Sequence, residues 1–132
     1  MRKVTIAILA VVMGLVFAGC RTTALYNVEK APVVASSNKK LTAQDTEKAI
    51  MRAGGRLGWV MKKVENGHIE GTLNIRKHMA AVSIRYTANE YSINYLNSSS
   101  LNYDPATSTI HQNYNGWVQN LDNAIRVQLS ML

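Results

Sequence analysis

The sequence is poor in cysteine, proline, phenylalanine and acidic residues: one Cys, two Pro, one Phe and eight Asp plus Glu in 132 residues. One cysteine excludes an intramolecular disulfide, the usual staple of small exported domains, so the fold must hold by packing and hydrogen bonding. The isolated prolines, Pro32 and Pro105, exclude a proline-rich spacer. Charged residues make up 17% and hydrophobic ones 47%, which excludes a disordered polyelectrolyte and leaves room for one modest core. The three histidines, His68, His78 and His111, include no i, i+4 pair and no Cys/His set, so zinc patterns are absent. Each is expected in a surface or capping role. Carboxylates are dispersed, with no pair placed for general acid–base work. Gly54-Gly55 lacks the lysine that should follow a phosphate-binding loop. The expectation is a non-enzymatic chain without a cofactor or metal.

The formal charge is +7, from fifteen basic and eight acidic residues. The basic residues are scattered, and the doublets after the leader are Lys39-Lys40, Lys62-Lys63 and Arg76-Lys77. No basic stripe suits a nucleic-acid partner, and none is expected. The leader is more definite. Arg2-Lys3 precedes the apolar stretch Val4–Phe17, shorter than the ~20 residues a membrane-spanning helix needs and proportioned like the apolar core of a signal peptide. Phe17-Ala18-Gly19-Cys20 follows directly. It resembles the lipobox, in which small residues precede a cysteine that is acylated before the leader is removed, although Phe17 stands where the pattern favours Leu. The resemblance implies cleavage after residue 19, lipid on Cys20, and a membrane as partner through that lipid. Arg21, in place of the Asp associated with inner-membrane retention, favours the outer membrane. An ordinary secretory signal with a chance cysteine is the alternative.

Residues 20–40 read as a lipidated cysteine followed by a tether, roughly 25 Å long as a flexible coil. Leu25-Tyr26-Asn27-Val28 is apolar enough to dock as an extended arm. Residues 41–132 read as one α+β domain. Thr42 with Asp45 forms a capping-box pattern for a helix over 41–53, stopped by Gly54-Gly55. Asn66-Gly67 between residues 59–64 and 69–75 predicts a two-residue hairpin with positive φ at both turn residues. That loop pairs Val64 with Ile69, Lys63 with Glu70, Met61 with Thr72 and Val60 with Leu73. Strands at 79–86 and 91–97 then alternate, with Tyr86, Tyr91 and Tyr95 turned to the core and not forming a stacking platform. Thr109, with Gln112, is the expected cap of a last helix whose stripe is Ile110, Tyr114, Trp117, Val118, Leu121, Ile125 and Leu129. The predicted fold is a two-layer α+β sandwich, α-β-β-β-β-α: a four-stranded antiparallel meander with two helices on one face.

In this register the outer sheet face gathers Trp59, Met61, Thr72, Asn74, Met79, Ala81 and Leu96, an apolar end that should be covered. The covers to weigh are the Leu25–Val28 arm, a second subunit or envelope protein, or a small apolar or amphiphilic ligand. A one-residue slip in the hairpin around Arg76-Lys77 would undo part of this face.

Tyr26-Asn27-Val28, Gly71-Thr72-Leu73-Asn74-Ile75-Arg76 with His78, Tyr91-Ser92-Ile93-Asn94-Tyr95, and Ile110-His111 with Tyr114-Asn115-Gly116-Trp117-Val118-Gln119-Asn120-Leu121 span most of the chain after the leader. Together they resemble a group of small Gram-negative envelope lipoproteins of uncharacterised function. The resemblance implies a location and no reaction, cofactor or catalytic residue. The expected function is a lipid-anchored envelope protein whose periplasmic domain binds another envelope component. The alternative is a carrier or sensor of a small apolar or amphiphilic ligand on the outer sheet face.

Overall fold

A computed structural model describes residues 21–132; Cys20 and the expected leader over residues 1–19 lie outside the described residues. The elements run β1 (Thr22–Ala24), β2 (Val28–Pro32), α1 (Ala43–Arg56), β3 (Val60–Glu65), β4 (His68–Ile75), β5 (His78–Tyr86), β6 (Glu90–Ser99), β7 (Thr109–His111) and α2 (Gln112–Ser130). β3 to β6 form the expected antiparallel meander. The sheet is nonetheless five-stranded, in the order β2-β6-β5-β4-β3, and β1 pairs with β7 in a separate two-stranded ribbon. The fold class is α+β, with more of the chain folded than the predicted boundaries allowed.

α1 starts as expected. The Thr42 hydroxyl accepts from the Asp45 amide at 3.1 Å, and the Asp45 carboxylate accepts from the Thr42 amide at 2.9 Å. Those hydrogen bonds hold the Asp45 carboxyl below its ordinary value. The helix does not stop at Gly54-Gly55 but runs to Arg56. The chain turns at Gly58, whose φ of 86° is readily adopted only without a side chain.

Gly54 has another use. A Cβ there would collide with the Met61 side chain, and one on Gly71 would lie 2.9 Å from Met61 Sδ and 3.4 Å from the Trp59 ring. Trp59 and Met61 thus sit between sheet and helix, opposite to the predicted register. Only Gly67 of the Asn66-Gly67 turn has positive φ, so the predicted primed turn does not form. Glu65 still pairs with His68, but Val64 is an extra residue, and Lys63 pairs with Ile69, Met61 with Gly71 and Val60 with Thr72. Magnitudes favour this slip. Burying about 200 Å² of tryptophan at ~25 cal/mol per Å² is worth roughly 5 kcal/mol. Leaving Val60 and Val64 at 68% and 47% exposure forgoes roughly 3 kcal/mol, and Met61 adds partial burial. The same slip moves Lys63 from its predicted partner Glu70 to Glu47 on α1, at 3.0 Å.

The predicted tether is also folded. β2 adds to β6 at the sheet edge, with Val28 opposite Ile93 and Pro32 opposite Glu90. Pro32 at an outer edge withholds no hydrogen bond from an inner ladder. Leu25 and Tyr26 pack against the core. The arm therefore widens the sheet and does not cover its outer face.

α2 carries the predicted stripe: Tyr114, Val118, Leu121, Ile125 and Leu129 are buried, and Trp117 is partly buried. Its start differs. Thr109 belongs to β7, and His111 is the N-cap, its Nδ1 accepting from the Asn113 amide at 3.1 Å. Tyr86 and Tyr91 are buried inward as expected, and Tyr95 is partly buried.

Candidate functional site at the chain-entry pole

Strand directions bring several loops to one end of the domain. β4 ends at Ile75, the turn Arg76-Lys77 follows, and β5 leaves at His78. β6 arrives at Ser99 beside Met79 and leads into the loop before β7. The Arg21 carbonyl accepts from the Gln112 amide at 2.9 Å, and Thr22 pairs with His111. Described chain therefore enters the domain at this end, beside the start of α2. The Asn115 side chain stitches it down, donating to Ala24 O at 2.8 Å and to Thr23 Oγ1 at 3.2 Å while accepting from the Tyr26 amide at 3.0 Å.

Two of the three histidines meet here. The ring centres of His78 and His111 are 6.4 Å apart, and Trp117 lies 6.3 Å from His78. His78 Nδ1 is 2.8 Å from the Ser100 carbonyl, which can only accept, so this nitrogen donates and Nε2 of the neutral ring is an acceptor. His111 Nδ1 accepts from the Asn113 amide, so its Nε2 carries the proton. The rings thus present one acceptor and one donor. Leu57, Trp59, Leu73, Ile75, Trp117 and Asn120 line a cavity of about 200 Å³ at the same pole. Leu57 is 41% exposed at its mouth. Exposed Arg56 precedes Leu57, exposed Arg76 and Lys77 follow Ile75, exposed Arg21 joins the start of α2, and Asp104 is an exposed carboxylate of the loop before β7.

No protein-family model matches the chain, and no curated protein or solved structure matches it. What the site can do must come from its own residues. Stretches distant in sequence do converge on it: Arg21-Thr22, His78, His111 and Trp117. In the sequence Trp117 belonged to the helix stripe and the histidines to surface or capping roles, so no local signal joined them. Only strand direction shows that they are neighbours.

The predicted binding face divides. Trp59 and Met61 leave it for the interior, for the register reason given above. Thr72, Asn74, Met79 and Ala81 remain on the outer face, and Leu96 is 44% exposed at a bulge beside Ala81. The face is now mostly Thr, Ser, Asn and charged residues, with Val60, turned outward opposite Thr72, joining Met79, Ala81 and Leu96 as its apolar members. Met79 and Asn74 adjoin the entry pole. The reason for placing a cover or an apolar ligand on this face goes with Trp59 and Met61.

Elsewhere, Glu47, Lys63 and Tyr86 meet beside a shallow cavity of about 320 Å³. Glu47 accepts from the Tyr86 hydroxyl at 2.6 Å, and that bond, with Lys63, holds its carboxyl below the ordinary glutamate value. Burial, reinforced by Glu47, raises Tyr86. A raised tyrosine keeps its proton and gives it up reluctantly, and the group is better understood as a clamp between α1 and the sheet. Tyr95 stacks on Tyr103 with ring centres 4.0 Å apart, and Tyr114 approaches Tyr95 edge-on at 5.7 Å. The Tyr114 hydroxyl is buried with no hydrogen-bond partner among the described residues, and burial pushes it well above the ordinary tyrosine value. Among the described residues no group of three metal-ligating side chains occurs, and no helix is long and apolar enough to cross a membrane.

Proposed function

We propose that this chain is a non-enzymatic lipoprotein of the cell envelope, cut before Cys20 and held by lipid on that cysteine, on the periplasmic face of the outer membrane. Its domain docks on another envelope component. One observation carries the reading: a leader ending in Phe17-Ala18-Gly19-Cys20 is followed at once by Arg21, whose carbonyl is hydrogen-bonded to the start of α2. Lipid on Cys20 would hold a rigid domain directly at a membrane, with no free spacer. Such confinement raises the effective concentration of the domain near membrane partners without any new contact. Two or three acyl chains give a lasting anchor, whereas one gives marginal binding.

The test is intact mass and membrane fractionation of the expressed protein beside a Cys20→Ala variant. The wild type should gain acyl mass, lose residues 1–19 and float with outer membranes, and the variant should do none of these. A soluble, unlipidated wild-type chain, or one retaining its leader, would overturn the reading. Crosslinking in membranes then identifies the component on which the domain docks.

A further inference from the structure

We propose that the entry pole is a membrane-facing surface that rests on anionic lipid headgroups, so that the opposite pole is displayed away from the bilayer. This rests on the lipid-anchor reading and adds an orientation to it. Consecutive Cα atoms are about 3.8 Å apart, so an acylated Cys20 must attach within a few ångströms of Arg21, which is fixed on α2. The lipid therefore leaves the domain at one defined point, and the pole around that point must lie within headgroup reach.

The chemistry of that pole fits the place. Arg21, Arg56, Arg76 and Lys77 are exposed there, and the ion pairs among the described residues, Lys63–Glu47, Arg85–Glu65 and Arg126–Asp122, lie elsewhere. Basic side chains act on an anionic surface only within about a Debye length, roughly 8 Å at physiological salt, so the charges that matter are those of the pole where the lipid would leave. Leu57 and Val60 are exposed near them, and Trp117 and Ile75 are partly buried. Tryptophan with a few aliphatic neighbours and flanking Arg and Lys suits the headgroup boundary.

The far pole differs. It carries the Asn66-Gly67 turn, the Thr87–Asn89 turn and the start of α1. Its carboxylates Asp45, Glu65 and Glu90 are interspersed with Lys39, Lys40 and Arg85. β6, ten residues long, separates the poles by roughly 30 Å.

The test uses the full-length, processed and acylated protein in vesicles of phosphatidylethanolamine with phosphatidylglycerol. Asn113→Cys places a thiol at the entry pole and Asn89→Cys one at the far pole; both positions are exposed. Each is labelled with a donor fluorophore, the Cys20 sulfur being occupied by lipid, and energy transfer to a headgroup-borne acceptor is read. Transfer from position 113 should be strong and from position 89 weak. The contrast should shrink on phosphatidylcholine vesicles and in an Arg76→Glu/Lys77→Glu variant, each lost charge costing about five-fold in preference for the seated orientation. Equal transfer from both positions on anionic vesicles, or stronger transfer from position 89, would overturn the orientation while the floating, acylated protein keeps the anchor. A chain that lacks acyl mass, does not float and takes a second label at Cys20 removes the anchor, and the orientation falls with it.

Discussion

Two clamps tie the helices to the sheet with the same three kinds of side chain, and they differ mainly in how much water reaches them. Tyr86 and Tyr91 are partners across β5 and β6. Tyr86 donates to Glu47 of α1 at 2.6 Å, and Lys63 pairs with that carboxylate at 3.0 Å. Tyr91 donates to Asp122 of α2 at 2.5 Å, and Arg126 pairs with that carboxylate at 3.2 Å. The Glu47 side chain is 22% exposed beside an open cavity, whereas the Asp122 side chain is 9% exposed under the helix. A buried carboxylate needs every partner it has, because water cannot replace one that is removed. An accessible carboxylate can be re-solvated. The inner clamp is therefore the one that locks the helix layer to the sheet, and the outer one trims it. The lock also fixes α2, whose start holds Arg21 and so the point where the chain enters.

The largest contrast should come from deleting each carboxylate. Asp122→Ala strands the Tyr91 hydroxyl and should cost about 2–3 kcal/mol in denaturant unfolding, while Glu47→Ala should cost about 1 kcal/mol. Equal losses would mean that burial does not separate the clamps.

Titration separates them next. Burial, with the Asp122 bond second, raises Tyr91 far above the ordinary tyrosine value; Tyr86 is raised by burial and then by Glu47. A raised tyrosine contributes stability that is present below about pH 10 and is lost as pH climbs beyond it toward the folded value. Glu47 is depressed, so its contribution is present above about pH 4.3 and is lost as pH falls below that toward the folded value. Tyr91→Phe should therefore flatten the alkaline limb of stability against pH, and Glu47→Gln the acid limb. Ultraviolet tyrosine absorbance and unfolding at each pH check both, and exchanged limbs would reverse the assignment.

The smallest effects should come from the cations. Lys63 and Arg126 are themselves 41% and 49% exposed, so Lys63→Ala should cost no more than about 0.5 kcal/mol, and Arg126→Ala, which takes a partner from the 9%-exposed Asp122, about 1 kcal/mol. Equal losses for the two cations would show that water reaches Asp122 as readily as it reaches Glu47.

Both clamps rest on the side of the sheet that alternation predicted for Tyr86 and Tyr91, but neither triad was legible. Glu47 and Lys63 are 16 positions apart and Tyr91 and Asp122 are 31 apart, beyond the reach of helical or strand spacing. Lys63 was assigned to the wrong partner because the pairing count ignored a bulge. The meander, the Thr42 cap and the α2 stripe could be read because each is enforced by residues within a turn or a pleat of one another. The entry pole was only partly visible. Met79 and Asn74 were selected for the outer face they share with it, whereas His78, His111 and Trp117 were assigned separate structural roles.

The sequence alone determined what short-range chemistry can enforce: helices where apolar residues recur every three or four positions, and strands where they alternate. Tertiary structure decided three further things. It turned Trp59 and Met61 inward, because Gly54 and Gly71 leave room between helix and sheet and large apolar side chains gain more from that room than Val60 and Val64. It folded the expected tether into β1 and β2, because β6 and β7 offered unpaired edges whose amides and carbonyls needed partners. It fixed Arg21 against the start of α2, because Asn115 and Gln112 supply hydrogen bonds that neither segment can satisfy alone.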